Sequence, residues 1–158
     1  MLHPGASVPA RAWPPGHCAA AVDALTHAGW RVAVTGAASE AELTARVAGR
    51  HGMDLGGTTT FAEMAALLAG AAAVVVGNTG PAHLAAGVAT PVVSLFAPTV
   101  PAIRWAPHGV EHILLGDQTA SCADSRARLC PVPGHPCLTS VTPDDVVAAV
   151  AKLAGEPP

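Results

Sequence analysis

The run Gly77-Asn78-Thr79-Gly80-Pro81-Ala82-His83 puts turn formers, an amide, a hydroxyl and an imidazole side by side. A glycine turn that ends an apolar strand and opens a helix aims backbone N–H groups at one spot. That spot attracts phosphate. Asn78 or Thr79 is placed to cap the helix, and Pro81 suits its first turn. His83 can donate to a phosphate or sugar oxygen. The helix dipole opposes its protonation, so it reads as a neutral donor. The same residue types also build crossover turns that hold no ligand, with the histidine capping or packing.

Three further positions could complete such a site. Ser7 and Arg11 share a loop that follows Leu2-His3, and Arg11 reaches a phosphate if that loop lies at the same sheet edge. Otherwise it is a solvated surface arginine. Glu40 falls in a helix first turn, where a carboxylate can accept from ribose hydroxyls. Acids also favour helix N-termini through the dipole alone. Thr99 supplies a hydroxyl in the loop after another apolar run.

The elements that must position these residues follow from apolar patterning. Residues 72–76 and 91–96 are continuous apolar runs, as in strands buried on both faces. Residues 30–35, 53–55 and 110–115 read as further strands, and Leu2-His3 as the tail of one. Helices are expected over 17–28, from Ser39 to 51, over 61–69, from the turn at 80, and over 141–154. Ser39 and Glu42 fit a capping box, and Phe61, Met64, Ala65 and Leu68 share one helix side. Thr142 caps the last helix ahead of Pro143 and Asp144-Asp145. Residues 103–107 read as irregular and 116–139 as a long loop.

Strand and helix alternate. That predicts an α/β fold with a doubly wound parallel sheet, one domain over residues 1–158. Ligands of such sheets bind outside the strands' carboxyl ends. The candidate loops 7–11, 36–40, 78–83 and 96–99 all follow strands. A chain that opens on the tail of a strand also points to something upstream.

Composition narrows the function. About half the residues are hydrophobic but only 3% are aromatic, so the core is built from Ala, Val and Leu. The net charge is −3, and the eight Lys and Arg are scattered. No basic stripe or stacking platform appears, which argues against nucleic acid. No secretory signal or membrane span is visible, so a cytoplasmic location is the expectation. Cys18, Cys122, Cys130 and Cys137 then read as reduced thiols. Their spacing does not form a paired zinc knuckle, so no metal is expected. GxGxxG, GxxxxGK[ST] and GxSxG are all absent, which argues against the usual dinucleotide fingerprint, a P-loop and a serine hydrolase.

Several stretches resemble glycosyltransferase family 9, the ADP-heptose:lipopolysaccharide heptosyltransferases and their relatives. They are His3-Pro4-Gly5-Ala6, Arg11-Ala12-Trp13-Pro14, residues 77–86, residues 90–99, Cys137-Leu138 and residues 141–146. The resemblance implies a GT-B architecture of two Rossmann-like halves. This chain looks like the C-terminal half, which binds the nucleotide-sugar donor. It implies that Thr79 and Gly80 hold the diphosphate through backbone N–H groups and that Arg11 neutralises it. Glu40 is the match to a ribose-binding acid, with Glu42 close by, and His83 is the motif histidine. Asn78, Ser7 and Thr99 complete the implied donor site.

The implied reaction is an inverting, metal-independent transfer of a heptose-like sugar from an ADP-sugar to a lipopolysaccharide-core-type glycan. It needs no cofactor. The catalytic base belongs to the N-terminal half, so this chain alone is expected to be inactive. Its expected partners are the nucleotide-sugar donor and that other half, as a domain or a separate subunit. A lipid-linked acceptor would bring it near a membrane surface. The alternative is a non-catalytic nucleotide-sugar binding module, or a partner subunit of a split enzyme. Three positions depart from the family pattern: Asn78 stands for Asp, Ala97 for Gly, and Ser125 for the second cysteine of a CxxC pair.

Overall fold

Apolar runs joined by helical crossovers must pair in parallel, and a parallel sheet needs helices on both faces. The computed structural model describes residues 1–157. The strands are β1 Leu2–His3, β2 Ala33–Gly36, β3 Met53–Gly56, β4 Val74–Gly77, β5 Val92–Leu95 and β6 His112–Leu115. They lie in the order β3-β2-β1-β4-β5-β6, with every neighbouring pair parallel. The helices are α1 Pro15–His27, α2 Ala41–Ala48, α3 Phe61–Ala69, α4 Gly80–Gly87, α5 Ala102–Trp105, α6 Pro136–Thr139 and α7 Pro143–Ala154. This is the doubly wound parallel α/β fold expected from the sequence. The direction of winding reverses between β1 and β4, so their carboxyl ends flank the switch point.

Side-chain alternation assigns the two faces. Val75, Val93 and Leu95 join Leu2, Val34, Trp13, Val22, Leu25, Val47 and Val146 in one buried cluster. Val74, Val76 and Val92 join Leu68, Ala82 and Ala85 in another. So α1, α2 and α7 cover one face, and α3 and α4 cover the other. Fully buried alanines at Ala21 and Ala85 let helices approach closely. Burying a Val or Leu side chain stabilises by about 1.5–3 kcal/mol, so these clusters carry the fold. Among the described residues, no helix is long and apolar enough to cross a membrane.

The structure departs from the sequence reading at several places. The Ser39–Glu42 capping box does not form. Residues Ala38–Glu40 make a 3-10 turn instead, and the Glu40 carboxylate accepts the Ala37 N–H at 2.8 Å. Ser39 and Glu42 are exposed. Phe61 does not share the buried side of α3: it is 76% exposed at the first helical residue, whereas Leu68 is fully buried. The stretch 103–107 is not all irregular, because Trp105 and Ala106 donate to Pro101 and Ala102 and close the single turn of α5. The long loop ends early in α6, where Cys137 and Leu138 are buried. Trp13 Nε1 donates to Leu138 O at 3.0 Å, which anchors that helix under the β1 loop.

The C-terminal cap forms as its residues dictate. Thr142 Oγ1 accepts from Asp145 N at 3.2 Å, and the Asp145 carboxylate accepts from Thr142 N at 2.8 Å. These bonds from Thr142 hold the Asp145 carboxyl below the usual carboxylate range. At the other end, His3 Nδ1 lies 3.1 Å from Thr35 Oγ1 and links β1 to β2. Burial lowers the His3 pKa below 6.5, and the Glu40 carboxylate only partly opposes it.

Thr142→Ala removes the α7 cap and is expected to cost about 1 kcal/mol. That is a fall of roughly 2–4 °C in Tm, readable by circular dichroism. His3 resists protonation when folded and accepts it when unfolded. Stability is therefore full above about pH 6.5 and declines as pH falls below it. In His3→Asn, whose amide can take the Nδ1 position, denaturant midpoints should vary less between about pH 5 and 7. An identical pH profile in the two proteins would show that His3 titrates as it does in the unfolded chain.

Candidate functional site

A parallel sheet puts all its carboxyl ends on one edge. The loops after β1, β2, β4 and β5 therefore neighbour one another, and close backbone contacts hold them there. A Cβ added at Gly77 would lie 3.0 Å from Arg11 O, so glycine is what lets the β1 loop cross the end of β4. A Cβ at Gly5 would collide with the Glu40 carboxylate, so Glu40 lies directly over the β1 loop. Asn78 Nδ2 donates to Ala97 O at 3.3 Å and ties the β4 turn to the β5 loop.

All the residues singled out in the sequence fall on this edge. Asn78 and Thr99 are buried, at 5% and 1% exposure. Arg11, Glu40 and Thr79 are half-buried; Ser7, Gly80 and His83 are exposed. Arg11 closes a 3-10 turn over Pro9–Arg11, which fixes its backbone beside Gly77. Glu40 is separated from Glu42 by its surroundings: Glu40 packs on Gly5 and sits 4.0 Å from His3 Nε2, while Glu42 faces solvent. The side chains of Ser7 and His83 make no hydrogen bond to other described residues.

The turn differs in detail from expectation. Thr79 occupies the cap position of α4, yet its side chain accepts no bond from the helix. Its Oγ1 and its N–H both turn back to Gly77 O, at 3.4 and 2.8 Å. Asn78 does not cap either, because its amide is held by Ala97. The Thr79 amide is thus already used. Pro81 has no N–H, and Ala82 N donates to Thr79 O at 3.1 Å. The Gly80 amide remains at the opening of α4.

Several buried polar atoms at this edge have no partner among the described residues. They include Asn78 Oδ1, Thr99 Oγ1 and Arg11 Nε. Leaving such groups unsatisfied costs about 1–3 kcal/mol each, so a site that takes polar ligand atoms or water here offsets a real penalty. The arrangement offers one guanidinium, the Gly80 amide at the helix start, a carboxylate over the β1 loop, and buried acceptors. That set suits an anion flanked by hydroxyl groups.

Sequence reasoning missed the strap that holds the edge together. Residues 117–135 cross over it, and the bonds are mostly from backbone. Asp124 N donates to Pro98 O at 2.8 Å, Arg126 N to Thr99 O at 2.7 Å, and Ala10 N to Arg128 O at 3.0 Å. His135 Nε2 meets Ala10 O at 3.1 Å, and Gln118 Nε2 donates to Phe96 O at 2.9 Å. Prolines and scarce hydrophobics marked this stretch only as loop; backbone bonds of that range leave no residue pattern.

The four cysteines are unpaired thiols; Cys18, Cys122 of the strap and Cys137 are buried. Burial raises Cys137 to about 11, with the neighbouring Cys122 and Cys130 adding to the rise. Among the described residues, no group of three or more His, Cys, Asp or Glu is placed to hold a metal ion. A cleft of about 780 Å³ opens elsewhere, at the amino edge, lined by Met1, Trp30, Arg31, Met53 and Leu67 among others. None of the candidate residues reaches it. Its polar groups do not converge as those of the carboxyl edge do, so enclosed volume alone does not mark the chemistry here.

Comparison with known proteins agrees with the fold. The chain is 34% identical over 120 residues to lipopolysaccharide heptosyltransferase 1 of Pseudomonas aeruginosa, covering 75% of this chain and 33% of that protein. A glycosyl transferase family 9 structure from Veillonella parvula superposes with a TM-score of 0.78 at 18% identity, over 98% of this chain and 46% of that one. The E. coli ADP-heptose lps heptosyltransferase II gives 0.78 at 23% identity, over 97% and 45%. An E. coli heptosyltransferase solved with ADP-2-deoxy-2-fluoro heptose gives 0.68 at 23% identity, over 96% and 42%. This chain therefore spans about a third of the curated relative and under half of each of these structures. Residues 1–135 match the profile of glycosyltransferase family 9 (heptosyltransferase), and the chain belongs to that family.

Proposed function

We propose that this chain is the donor-binding, C-terminal half of a GT-B glycosyltransferase. The observation that carries the reading is the switch point itself. There the opening of α4, the Arg11 turn and the unpartnered oxygens Asn78 Oδ1 and Thr99 Oγ1 meet. The donor is an ADP-sugar carrying a heptose-like sugar. Similarity to a heptosyltransferase solved with an ADP-heptose analogue supports that choice. The acceptor is a lipopolysaccharide-core-type glycan, which would bring a cytoplasmic enzyme near a membrane surface.

The chemistry follows from the parts. The acceptor hydroxyl oxygen attacks the anomeric carbon from the face opposite the nucleotide. The bond from that carbon to the diphosphate oxygen breaks, and the diphosphate keeps the electron pair. Arg11 and the Gly80 amide stabilise the charge that develops there, which is work a bound metal performs in other transferases. Glu40, held over Gly5, accepts from the ribose hydroxyls. His83 and Ser7 lie exposed on the side from which the diphosphate and sugar approach, and Thr99 and Asn78 accept from sugar hydroxyls. A carboxylate of the facing half takes the acceptor proton.

A second reading rests on one observation. Position 78 carries a neutral amide where the family pattern has Asp, and that amide is bonded to Ala97 O. The chain would then be a non-catalytic nucleotide-sugar module, or a partner subunit of a split enzyme. Joined to a family 9 acceptor half, the first reading gives sugar transfer and the second gives none.

Calorimetric titration tests the site directly. ADP should bind the chain more tightly than UDP or GDP. Gly80→Pro removes the Gly80 amide: Thr79 is already extended at ψ 176, a Cβ at position 80 meets nothing within 4 Å beyond its chain neighbours, and Gly80→Ala controls for the crowding of a Cβ before Pro81. Gly80→Pro should weaken ADP binding roughly tenfold or more, while Gly80→Ala binds normally. Arg11→Gln should lose a similar amount. Equal ADP affinity in all four proteins would remove the diphosphate from this edge. With donor and acceptor supplied, the chain alone should transfer nothing, and turnover would overturn the division of labour between halves.

A further inference from the structure

The strap over the carboxyl edge carries two arginines to which no role has been given. We infer that Arg126 and Arg128 join Arg11 to form a three-arginine cradle for the donor diphosphate. The inference rests on the donor-site reading above and extends it to residues outside the β-α turns.

Backbone bonds fix where these arginines stand. Arg126 N donates to Thr99 O at 2.7 Å, so Arg126 is pinned to the β5 loop. Ala10 N donates to Arg128 O at 3.0 Å, so Arg128 is pinned next to Arg11 in the β1 loop. The two bonds lie on either side of the carboxyl end of β4. Thr99, at one junction, is 1% exposed and its Oγ1 has no partner. Arg11 Nε, at the other, is buried and also has none.

Energetics argue that this placement has a use. Arg126 holds φ at 56°, a left-handed conformation that ordinarily costs a non-glycine residue stability. Asp124 and His135 on the same strap are also left-handed, at 59° and 53°. Glycine would relieve each. The chain instead keeps an arginine at a strained position beside a second and a third. Both strap arginines are exposed, and no ion pair joins any of the three to a carboxylate among the described residues. Asp124, an exposed acid two residues before Arg126, makes no ion pair with it. Asp117 is occupied by Thr119 N and Oγ1, at 2.8 and 2.7 Å, and Glu40 by Ala37. Cations carried on neighbouring, pinned stretches of chain favour an anion between them. A diphosphate offers enough oxygens for several guanidinium forks.

The cradle also adds to the chemistry. Charge builds on the diphosphate as the glycosidic bond lengthens. Cations on a hydrogen-bonded strap stabilise it without reorganising. Selectivity should follow, because a nucleoside monophosphate reaches fewer of the arginines than a diphosphate does.

The test compares ADP, AMP and adenosine by calorimetry on the wild type, Arg11→Gln, Arg126→Gly, Arg128→Gln and the Arg126→Gly/Arg128→Gln double variant. The double variant should bind ADP roughly tenfold or more weakly, bind adenosine unchanged, and lose much of its preference for ADP over AMP. Arg126→Gly should melt at or above the wild-type temperature, since glycine takes the left-handed conformation freely. Weaker ADP binding in a protein that is no less stable separates a charge role from a structural one. If the double variant keeps the wild-type preference for ADP over AMP while Arg11→Gln loses it, the strap arginines are not part of the cradle. If the wild type itself shows no ADP binding, the donor-site reading falls and this inference with it.

Discussion

Parallel pairing of β1 with β4 is the constraint on which the rest of the molecule depends. Leu2 and His3 pair with Val75 and Val76 on one side, and Leu2 with Val34 on the other. Strands paired this way must be connected by crossovers, and a sheet wound in both directions from one point leaves a crevice there. The crevice cannot be filled by helices, because each crossover leaves in its own direction. Loops fill it instead, and loops bring polar backbone. The unpartnered atoms at Asn78, Thr99 and Arg11 are the local consequence of that topology.

Glycine at two positions turns the crevice into a narrow one. Gly77 lets the Arg11 carbonyl approach, and Gly5 lets the Glu40 carboxylate lie across the β1 loop. A methyl group at Gly77 would press on the Arg11 carbonyl, and one at Gly5 would turn the Glu40 carboxylate aside. The strap then closes the arrangement from above, using the Asp124 and Arg126 N–H donors and the Arg128 carbonyl rather than apolar contact. This division has a physical logic. The core stabilises the sheet through Val, Leu and Ala, while the edge is held by main-chain hydrogen bonds that consume no charged side chain.

How much of this was legible in the residues depends on the range of the interaction. Strands at Val74–Gly77 and Val92–Leu95 were plain, because burial on both faces demands unbroken apolar runs. The α7 cap was plain because Thr142 and Asp145 act three residues apart. The capping box at Ser39 failed although its spacing was right. The Glu40 carboxylate turned to Ala37 N, and the chain tightened into a 3-10 turn. Phe61 failed because helical periodicity says which side a residue lies on, not whether the helix end reaches the core. The placement of Arg126 beside Thr99 could not be read at all. It follows from a bond between main chains 27 residues apart, Arg126 N to Thr99 O, and no side-chain pattern records such a bond.

Asn78 shows how a single substitution is read through its partners. Aspartate, the residue usual in the family pattern, is a carboxylate at neutral pH and cannot donate a hydrogen bond. The Asn78 amide can, and it donates to Ala97 O at 3.3 Å from a site that is 5% exposed. A buried carboxylate there would face the Ala97 carbonyl, two acceptors in contact with no proton between them. The amide therefore links the β4 turn to the β5 loop where an acid would push them apart. It leaves Oδ1 buried with nothing to accept from. An amide recruited only to fasten two loops would place both its ends well. One satisfied end and one open end fit the proposed donor site, in which the open oxygen would accept from a hydroxyl group of the donor.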